Sequence, residues 1–153
     1  MNNQIEKRNF EILMVEDNLG ETILTKVAFM ENKIPGHLNI VGDGEEALDY
    51  LNRQGKHADA KTPDFILLDL NLPRMDGRTF LRRVKIEGFF KSIPVIVLTN
   101  SRLDSDIREV YEMNGNCYIV KPSNLAGYTE IVKKLHDFWM TLVQFPPRLN
   151  TLN

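Results

Sequence analysis

Short apolar runs alternate along the chain with longer segments in which apolar residues recur every three or four positions. Short continuous runs predict buried strands, and the longer periodic segments predict amphipathic helices. The predicted strands are Phe10–Val15, Leu38–Val41, Phe65–Leu68, Val95–Leu98 and Cys117–Val120. The third and fourth runs contain no polar residue, which is typical of central parallel strands covered on both faces.

Five predicted helices lie between or after these strands. Their apolar marker positions are Leu19, Ile23, Val27 and Met30; Ala47, Leu48 and Leu51; Phe80, Leu81 and Val84; Ile107, Val110 and Tyr111; and a long stripe from Leu125 to Leu142. Asp43 and Asp104 are the expected caps of the second and fourth helices. Five strand–helix repeats with short connections predict the α/β class, with a parallel sheet and helices on both faces.

The composition fits one globular domain and argues against several other classes. The chain has 153 residues, of which 42% are apolar, and this is enough for one sizeable core. Its 19 basic and 21 acidic residues give a net charge of −2, so no bulk charge favours nucleic acid or an anionic membrane. The single cysteine, Cys117, cannot form an intramolecular disulfide, and no apolar run approaches the roughly 18–20 residues that cross a bilayer. We therefore expect a cytoplasmic protein.

Polar side chains follow four of the predicted strands at the point where each strand ends. Glu16 and Asp17 follow the first strand, and Asp69 follows the third. Thr99 follows the fourth strand, and Lys121 follows the fifth. Ligands of an open parallel sheet bind outside the carboxyl ends of its strands. We therefore expect three carboxylates, one hydroxyl group and one ammonium group to converge there.

Such a cluster predicts phosphoryl chemistry. Neighbouring carboxylates repel one another and recruit a hard cation, and oxygen ligands combined with phosphate oxygens suit Mg²⁺. An ammonium group and a hydroxyl group beside that ion are donors for a phosphoryl oxygen. A carboxylate can also act as a nucleophile and form an aspartyl phosphate. The residues thus predict Mg²⁺-dependent phosphoryl transfer to Asp69.

Each of these residues also has an ordinary explanation when it is taken alone. Glu16 and Asp17 can favour the start of the first helix through its dipole. Thr99 can bond to the backbone at the end of a strand, and Lys121 can be a solvated surface lysine. Asp69 is harder to explain in this way, since an acid that ends an apolar strand has a desolvation cost. The joint occurrence at the ends of different strands favours the functional interpretation.

The residues resemble the receiver domain of two-component response regulators. The stretches that carry the resemblance are Ile12–Asn18, Asp43–Leu48, Leu67–Gly77, Val97–Thr99 and Tyr118–Pro122. The resemblance covers residues 9–143 and implies a doubly wound, flavodoxin-like sheet of five strands in the order 2-1-3-4-5. It leaves residues 1–8 as a polar N-terminal arm and residues 144–153 as a C-terminal tail, without an output domain.

By position, the resemblance implies a role for each residue of the cluster. Asp69 is the expected phosphoacceptor for a phosphoryl group from a sensor histidine kinase. The expected Mg²⁺ ligands are Glu16, Asp17, Asp69 and the backbone carbonyl of Asn71. The expected phosphoryl-binding and switch residues are Thr99, Tyr118 and Lys121, and the positions expected to tune hydrolysis are Asn71 and Ser101. The resemblance also implies a cis bond between Lys121 and Pro122.

Asn100 departs from the family pattern, because a small residue, Ala or Gly, usually follows the switch threonine. A larger side chain there is expected to narrow the access of a phosphodonor or of water. We therefore expect slower phosphorylation or slower hydrolysis than is usual for the family.

The last helix is apolar on more than one face and predicts a contact surface. Its candidate interface residues are Phe138, Trp139, Leu142 and Phe145. Aromatic residues are enriched at interface cores, although a wide apolar stripe can also simply cover the core. The family resemblance favours a homodimer through the fourth helix, fifth strand and fifth helix. The layout, with its polar insert at residues 54–62, also resembles small regulators that partner phytochrome kinases.

Three other functions are weighed against the receiver. A Mg²⁺-dependent phosphatase with an aspartyl nucleophile carries the motif Asp-x-Asp-x-Thr after its first strand. Here Asp69 follows the third strand, and the second acid of that motif is missing. A nucleotide-binding module is disfavoured by the absence of glycine-rich phosphate motifs. A binding platform that works without phosphorylation is disfavoured by the presence of Asp17, Asp69, Thr99 and Lys121 together.

Overall fold

The computed structural model describes residues 9–147 and contains one five-stranded parallel sheet. The strands are β1 (Phe10–Val15), β2 (Gly36–Val41), β3 (Phe65–Leu68), β4 (Val95–Thr99) and β5 (Cys117–Val120). Their order is β2-β1-β3-β4-β5, as the resemblance implies. The predicted N-terminal arm and the part of the predicted tail after residue 147 lie outside the described residues.

Five α-helices connect or follow the strands. They are α1 (Leu19–Glu31), α2 (Gly44–Leu51), α3 (Gly77–Lys85), α4 (Asp104–Glu112) and α5 (Leu125–Leu135). Asn18 caps α1 through a bond from the Glu21 amide, and Asp43 caps α2 in the same way through the Glu46 amide. The expected cap at Asp104 is wrong, because Asp104 is the first residue of α4 and the preceding residue, Leu103, makes no side-chain cap.

Both faces of the sheet are covered by helices, which agrees with the apolar strand sequences. Alternate residues of β1 and β3 point to opposite faces, since side chains of a strand alternate. Leu13 and Ile66 belong to a cluster that includes residues of α2, α3 and α4. Ile12 and Phe65 belong to a second cluster that includes residues of α1 and α5. The core thus fixes the strands rigidly, and their carboxyl ends form one edge of the molecule.

The predicted long last helix continues to Met140, although its geometry changes along the way. The α-helix ends at Leu135, and one π-helical turn follows over His136–Met140. The chain then returns, so that the ring of Phe145 stacks on Phe65 with 5.8 Å between ring centroids. Periodicity over residues 125–142 does not reveal this return, because Phe145 and the returning segment lie beyond that stripe.

No helix in the described part of the chain is long and apolar enough to cross a membrane.

Candidate functional site

Three acidic side chains converge beyond the carboxyl ends of β1 and β3. Glu16, Asp17 and Asp69 each offer one carboxylate oxygen, and these oxygens all lie within 4.8 Å of one another. Glu16 and Asp69 are buried, with 3% and 7% of their surfaces exposed, whereas Asp17 is open to solvent. The structure therefore brings the predicted carboxylates together in a pocket that has one open side.

Close backbone packing fixes the position of Asp69. Its amide donates to the carbonyl of Val15 at 3.1 Å, and its Oδ1 accepts from the amide of Asn71 at 3.3 Å. Gly77 at the start of α3 packs so closely that a Cβ there would lie 2.2 Å from the carbonyl oxygen of Asp69. Any larger residue at position 77 would displace the segment that carries the carboxylate.

Lys121 enters the acidic pocket from the end of β5. Its ammonium nitrogen lies 2.7 Å from Glu16 Oε2 and 3.2 Å from Asp69 Oδ2, and it also contacts Glu21 Oε2. The amide of Lys121 donates to the carbonyl of Thr99 at 2.8 Å, which holds the end of β5 beside the end of β4. The predicted lysine is therefore a buried partner of the carboxylates and not a solvated surface residue.

Burial and neighbouring charges perturb this pocket. Burial raises the pKa of Glu16 to about 7, and the charge of Asp69 adds to this effect, while the hydrogen bond from Lys121 opposes it. Burial alone would lower the pKa of Lys121, but its hydrogen bonds to Glu16 and Glu21 and the charge of Asp69 outweigh burial and raise it. The pocket thus holds more negative charge than the single ammonium group neutralises.

Thr99 contributes a hydroxyl group without a partner. The residue is fully buried at the end of β4, and its Oγ1 makes no hydrogen bond within residues 9–147. A buried polar group that lacks a partner costs about 1–3 kcal/mol. The hydroxyl group is therefore available to bond to a ligand that enters the site.

Tyr118 and Ser101 connect the site to the loop after β4. Tyr118 is half-buried, and its hydroxyl group donates to the carbonyl of Ser101 at 2.9 Å. The Ser101 hydroxyl group donates in turn to Asp106 Oδ2 of α4 at 2.5 Å. The two predicted residues are thus in contact with each other, and Ser101 is also bonded to α4.

The Lys121–Pro122 bond is trans, since no peptide bond within residues 9–147 is cis. The implied cis bond is therefore wrong for this structure. An X–Pro bond prefers trans by only about 0.5–1 kcal/mol, so its sequence position alone does not determine the isomer.

The remaining predicted residues lie at two places. Asn71 is exposed beside Asp69, to which its amide is bonded. Phe138 and Leu142 are exposed at 52% and 68%, far along the chain after α5, and Trp139 is half-buried. Phe145 packs on Phe10 and Phe65 of the same chain and is half-buried, as Trp139 is.

Glu21 is a site residue that the sequence prediction missed. It lies in the first turn of α1, and the pattern Asn18-x-x-Glu21 is typical of a helix start, which gives an ordinary reason for an acid there. Its contact with Lys121 joins residues that are distant in the sequence. Only the three-dimensional fold, in which α1 packs against α5, reveals that contact.

The donor set of the pocket suits a hard divalent cation next to a phosphoryl group. Carboxylate oxygens are the ligands that such cations prefer, and one open side leaves room for water or phosphate oxygens. The ammonium group of Lys121 and the unpartnered hydroxyl group of Thr99 are donors for phosphoryl oxygens. The arrangement can therefore bind a metal ion and stabilise a phosphorylated carboxylate.

Comparisons with known proteins agree with this geometry. Residues 12–133 match the family model of the response regulator receiver domain. Response regulator Rcp1 from Synechocystis is 38% identical over 135 residues, which cover 88% of this chain and 92% of Rcp1. The crystal structure of the phosphorylated cyanobacterial phytochrome response regulator RcpA has a TM-score of 0.85 and 40% identity, and covers 91% of this chain and 99% of RcpA. The Mn²⁺-bound structure of Rcp1 has a TM-score of 0.82 and 37% identity. The match covers 90% of this chain and 99% of the Rcp1 chain.

Proposed function

The chain belongs to the response regulator receiver domain family, and from this premise we propose that it accepts a phosphoryl group from a histidine kinase on Asp69. The observation that carries the proposal is the pocket itself. Asp69 lies beside two further carboxylates, within hydrogen-bonding distance of Lys121, and shares its edge of the sheet with the unpartnered hydroxyl group of Thr99.

The proposed step is a phosphoryl transfer between a histidine nitrogen and a carboxylate oxygen. A carboxylate oxygen of Asp69 attacks the phosphorus atom, a new O–P bond forms, and the N–P bond of the phosphohistidine breaks. The electron pair of that bond stays on the histidine nitrogen. The product is an aspartyl phosphate, a mixed anhydride that can later be hydrolysed.

Mg²⁺ is the proposed cofactor, held by Glu16, Asp17, Asp69 and the backbone carbonyl of Asn71. The first three side chains supply oxygen atoms within 4.8 Å of one another, which fits a hard cation. A bound ion supplies positive charge that offsets the charge developing on the phosphoryl oxygens.

Lys121 and Thr99 are the proposed donors to the phosphoryl oxygens. Lys121 already contacts Asp69, and Thr99 has a buried hydroxyl group that lacks a partner. A bond from Thr99 to a phosphoryl oxygen would move the loop after β4. Ser101 in that loop is bonded to both Tyr118 and Asp106, so the change would reach β5 and α4. A local change in charge that moves a nearby segment is a common way for a protein to alter its binding surface.

The test is labelling with acetyl phosphate, a small donor that releases acetate as the acyl phosphate forms. We expect one acid-labile phosphoryl group per chain in the presence of Mg²⁺, and strongly reduced labelling when the metal is chelated. Asp69→Asn removes the nucleophile and is expected to abolish labelling. Asp49→Asn is the matched control, because Asp49 is an exposed acid on α2.

Two results would contradict the proposal. Labelling of Asp69→Asn at the rate of the wild type would place the phosphoryl group elsewhere. Rapid, repeated turnover of a phosphate ester would favour a phosphatase, and a partner that binds the wild type and Asp69→Asn equally would favour a platform that works without phosphorylation.

A phytochrome histidine kinase is the proposed partner. RcpA is described as a cyanobacterial phytochrome response regulator, and it is similar to this chain over nearly its whole length. Phosphotransfer can be compared directly between a phosphorylated phytochrome kinase and an unrelated phosphorylated kinase. Transfer that is no faster from the phytochrome kinase would contradict this choice of partner.

A homodimer through α4, β5 and α5 is the proposed assembly. An apolar groove lies on this face, at the edge strand β5, and is lined by Ile119, Ile131, Lys134, Leu135, Phe138 and Trp139. A two-fold contact would place the same groove of two chains together. Phe138→Glu is expected to shift sedimentation to the monomer, whereas Phe89→Glu, at a side chain that is 90% exposed elsewhere, is not. A wild type that sediments as a monomer with and without a phosphoryl mimic would exclude the dimer.

A further inference from the structure

The ammonium group of Lys121 has all three of its donors in use. It donates to Glu16 at 2.7 Å and to Asp69 at 3.2 Å, and its third contact is with Glu21. An ammonium group offers three N–H donors and no more. A bond from Lys121 to an incoming phosphoryl oxygen therefore requires that one of the three carboxylates release it.

The contact between Glu21 and Lys121 is not explained by the start of α1. An acid at the third position of a helix ordinarily accepts the backbone N–H of the cap residue. Here Glu16 Oε1 accepts that N–H from Asn18 at 3.1 Å. The carboxylate of Glu21 turns instead toward the ammonium group of Lys121.

Glu21 is the acceptor of Lys121 that lies nearest to solvent. Its side chain is 22% exposed, compared with 2% for Glu16 and 8% for Asp69. A carboxylate at the rim can be solvated by water when it loses its partner, whereas a buried carboxylate cannot. The bond to Glu21 is therefore the one that can be given up when a phosphoryl group arrives.

We propose that Glu21 is a positioning residue of the phosphoacceptor site, which holds the ammonium group of Lys121 toward α1 and so restrains phosphorylation of Asp69. The inference rests on the proposed function of Asp69. Glu21 touches no reacting atom and acts through Lys121. Its hydrogen bond to Lys121 and a bond from Lys121 to a phosphoryl oxygen are both charge-assisted, so the two acceptors compete for the same donor.

The test is the rate of labelling of Glu21→Gln by acetyl phosphate at saturating Mg²⁺. Gln keeps an oxygen acceptor for Lys121 but loses the charge, so the competition weakens while the fold is retained. We expect labelling at least threefold faster than that of the wild type. Glu45→Gln is the matched control, because Glu45 is an exposed acid in the first turn of α2, and it is expected to label at the rate of the wild type.

A double-mutant cycle tests whether the effect passes through Lys121. In the Lys121→Ala background there is no ammonium group to release, so Glu21→Gln is expected to change the rate by less than twofold. A full gain in that background, or no gain in the wild-type background, would overturn the inference. If the wild type is labelled on Asp69, either of these two results contradicts only the role of Glu21. If the wild type is not labelled at all, the proposed function itself is contradicted.

Discussion

The hydroxyl group of Thr99 links the stability of the unphosphorylated protein to its response. It is buried without a partner within the described chain, so the folded state carries its desolvation cost. Thr99→Val replaces it with a methyl group of similar volume. We expect the free energy of unfolding to rise by about 1 kcal/mol, since the unpartnered polar group is gone.

The same substitution is expected to weaken the response to a phosphoryl mimic. Urea unfolding with and without Mg²⁺ and beryllofluoride measures both effects. The wild type gains stability from the mimic by mass action, and Thr99→Val is expected to gain less. A variant that is less stable than the wild type, or that keeps the whole gain, would contradict this role for Thr99.

Asn100 gives a second prediction at a single residue. Its side chain is exposed and directly follows the buried Thr99, and a smaller group there would leave more room beside that residue. We expect Asn100→Ala to be labelled by acetyl phosphate faster than the wild type and to lose its phosphoryl group faster. Unchanged rates of both reactions would show that Asn100 does not limit access.

Lys85 gives a prediction about pH, away from the site. Lys85 is the buried last residue of α3, and its ammonium group donates to the carbonyls of Lys91 and Ile93 at 3.1 and 2.7 Å. Burial lowers the pKa of Lys85 from 10.5 to about 8. Between these values the unfolded chain binds more protons than the folded chain, so Lys85 makes the protein more stable as the pH rises from about 8 to 10.5.

Comparison with Lys85→Met isolates this contribution from other titrating groups. The stability of the wild type relative to the variant is expected to increase over that range by up to about 3 kcal/mol. Chemical unfolding at several pH values measures it. A difference between the two proteins that is the same at pH 8 and at pH 10 would contradict the lowered pKa.

At the scale of elements, Arg78 ties α3 to α4. Its guanidinium group donates to Asp106 at 2.7 Å and lies 3.2 Å from Glu109, while Asp106 also accepts from Ser101 in the loop after β4. Hydrogen bonds from Ser101 and Arg78 hold the pKa of Asp106 below its usual range. The loop that would respond to phosphorylation is therefore anchored to two helices.

Arg78→Met is expected to loosen this anchor. We expect a loss of about 1 kcal/mol in the free energy of unfolding and faster hydrogen exchange in α4 and the loop after β4. Arg83→Met is the control on the same helix, because Arg83 makes an exposed pair with Glu87 at 3.6 Å. Equal rates of hydrogen exchange in the two variants would show that the contacts of Arg78 with Asp106 and Glu109 do not restrain α4.

The strands and the extent of the last helical segment were predictable to within two residues, while the return of the chain after it was not. The bounds expected from the apolar runs are found for Phe10–Val15, Phe65–Leu68 and Cys117–Val120. The sheet buries the first two runs without interruption, and the third run, on the edge strand, is half-buried. The predicted apolar stripe to Leu142 is helical through Met140, and the returning chain follows it. Local periodicity records burial and does not record the direction of the chain.

The site was predictable where the topology alone brings residues together. Strand ends of a parallel sheet share one edge, so the meeting of Asp17 and Asp69 follows from the strand assignments. The third partner of Lys121 and the missing partner of Thr99 depend on side-chain packing between elements. No pattern along the chain encodes those two features.

At the scale of the whole molecule, the segment after α5 closes the end of the sheet opposite the acidic pocket. The ring of Phe145 lies on Phe65 and on Phe10, near the amino ends of β3 and β1. Phe145→Ala is expected to cost about 2 kcal/mol, because it leaves the fully buried ring of Phe65 without its cover. Phe89→Ala, at a ring that is 90% exposed, is expected to change stability by less than about 0.5 kcal/mol.

Thermal or urea unfolding at low protein concentration measures both variants without a contribution from association. Equal losses in the two variants would mean that the segment after α5 does not contribute to the core.

Trp139 is the only tryptophan in the chain, and it stands between Phe138 and Phe145, with centroids 5.8 and 6.5 Å away. It also borders the groove beside Ile119, one residue along β5 from Tyr118. The fluorescence of this indole therefore reports on a single known location. The protein carries its own optical reporter for events on that face, and kinetic traces can be recorded on the unlabelled chain.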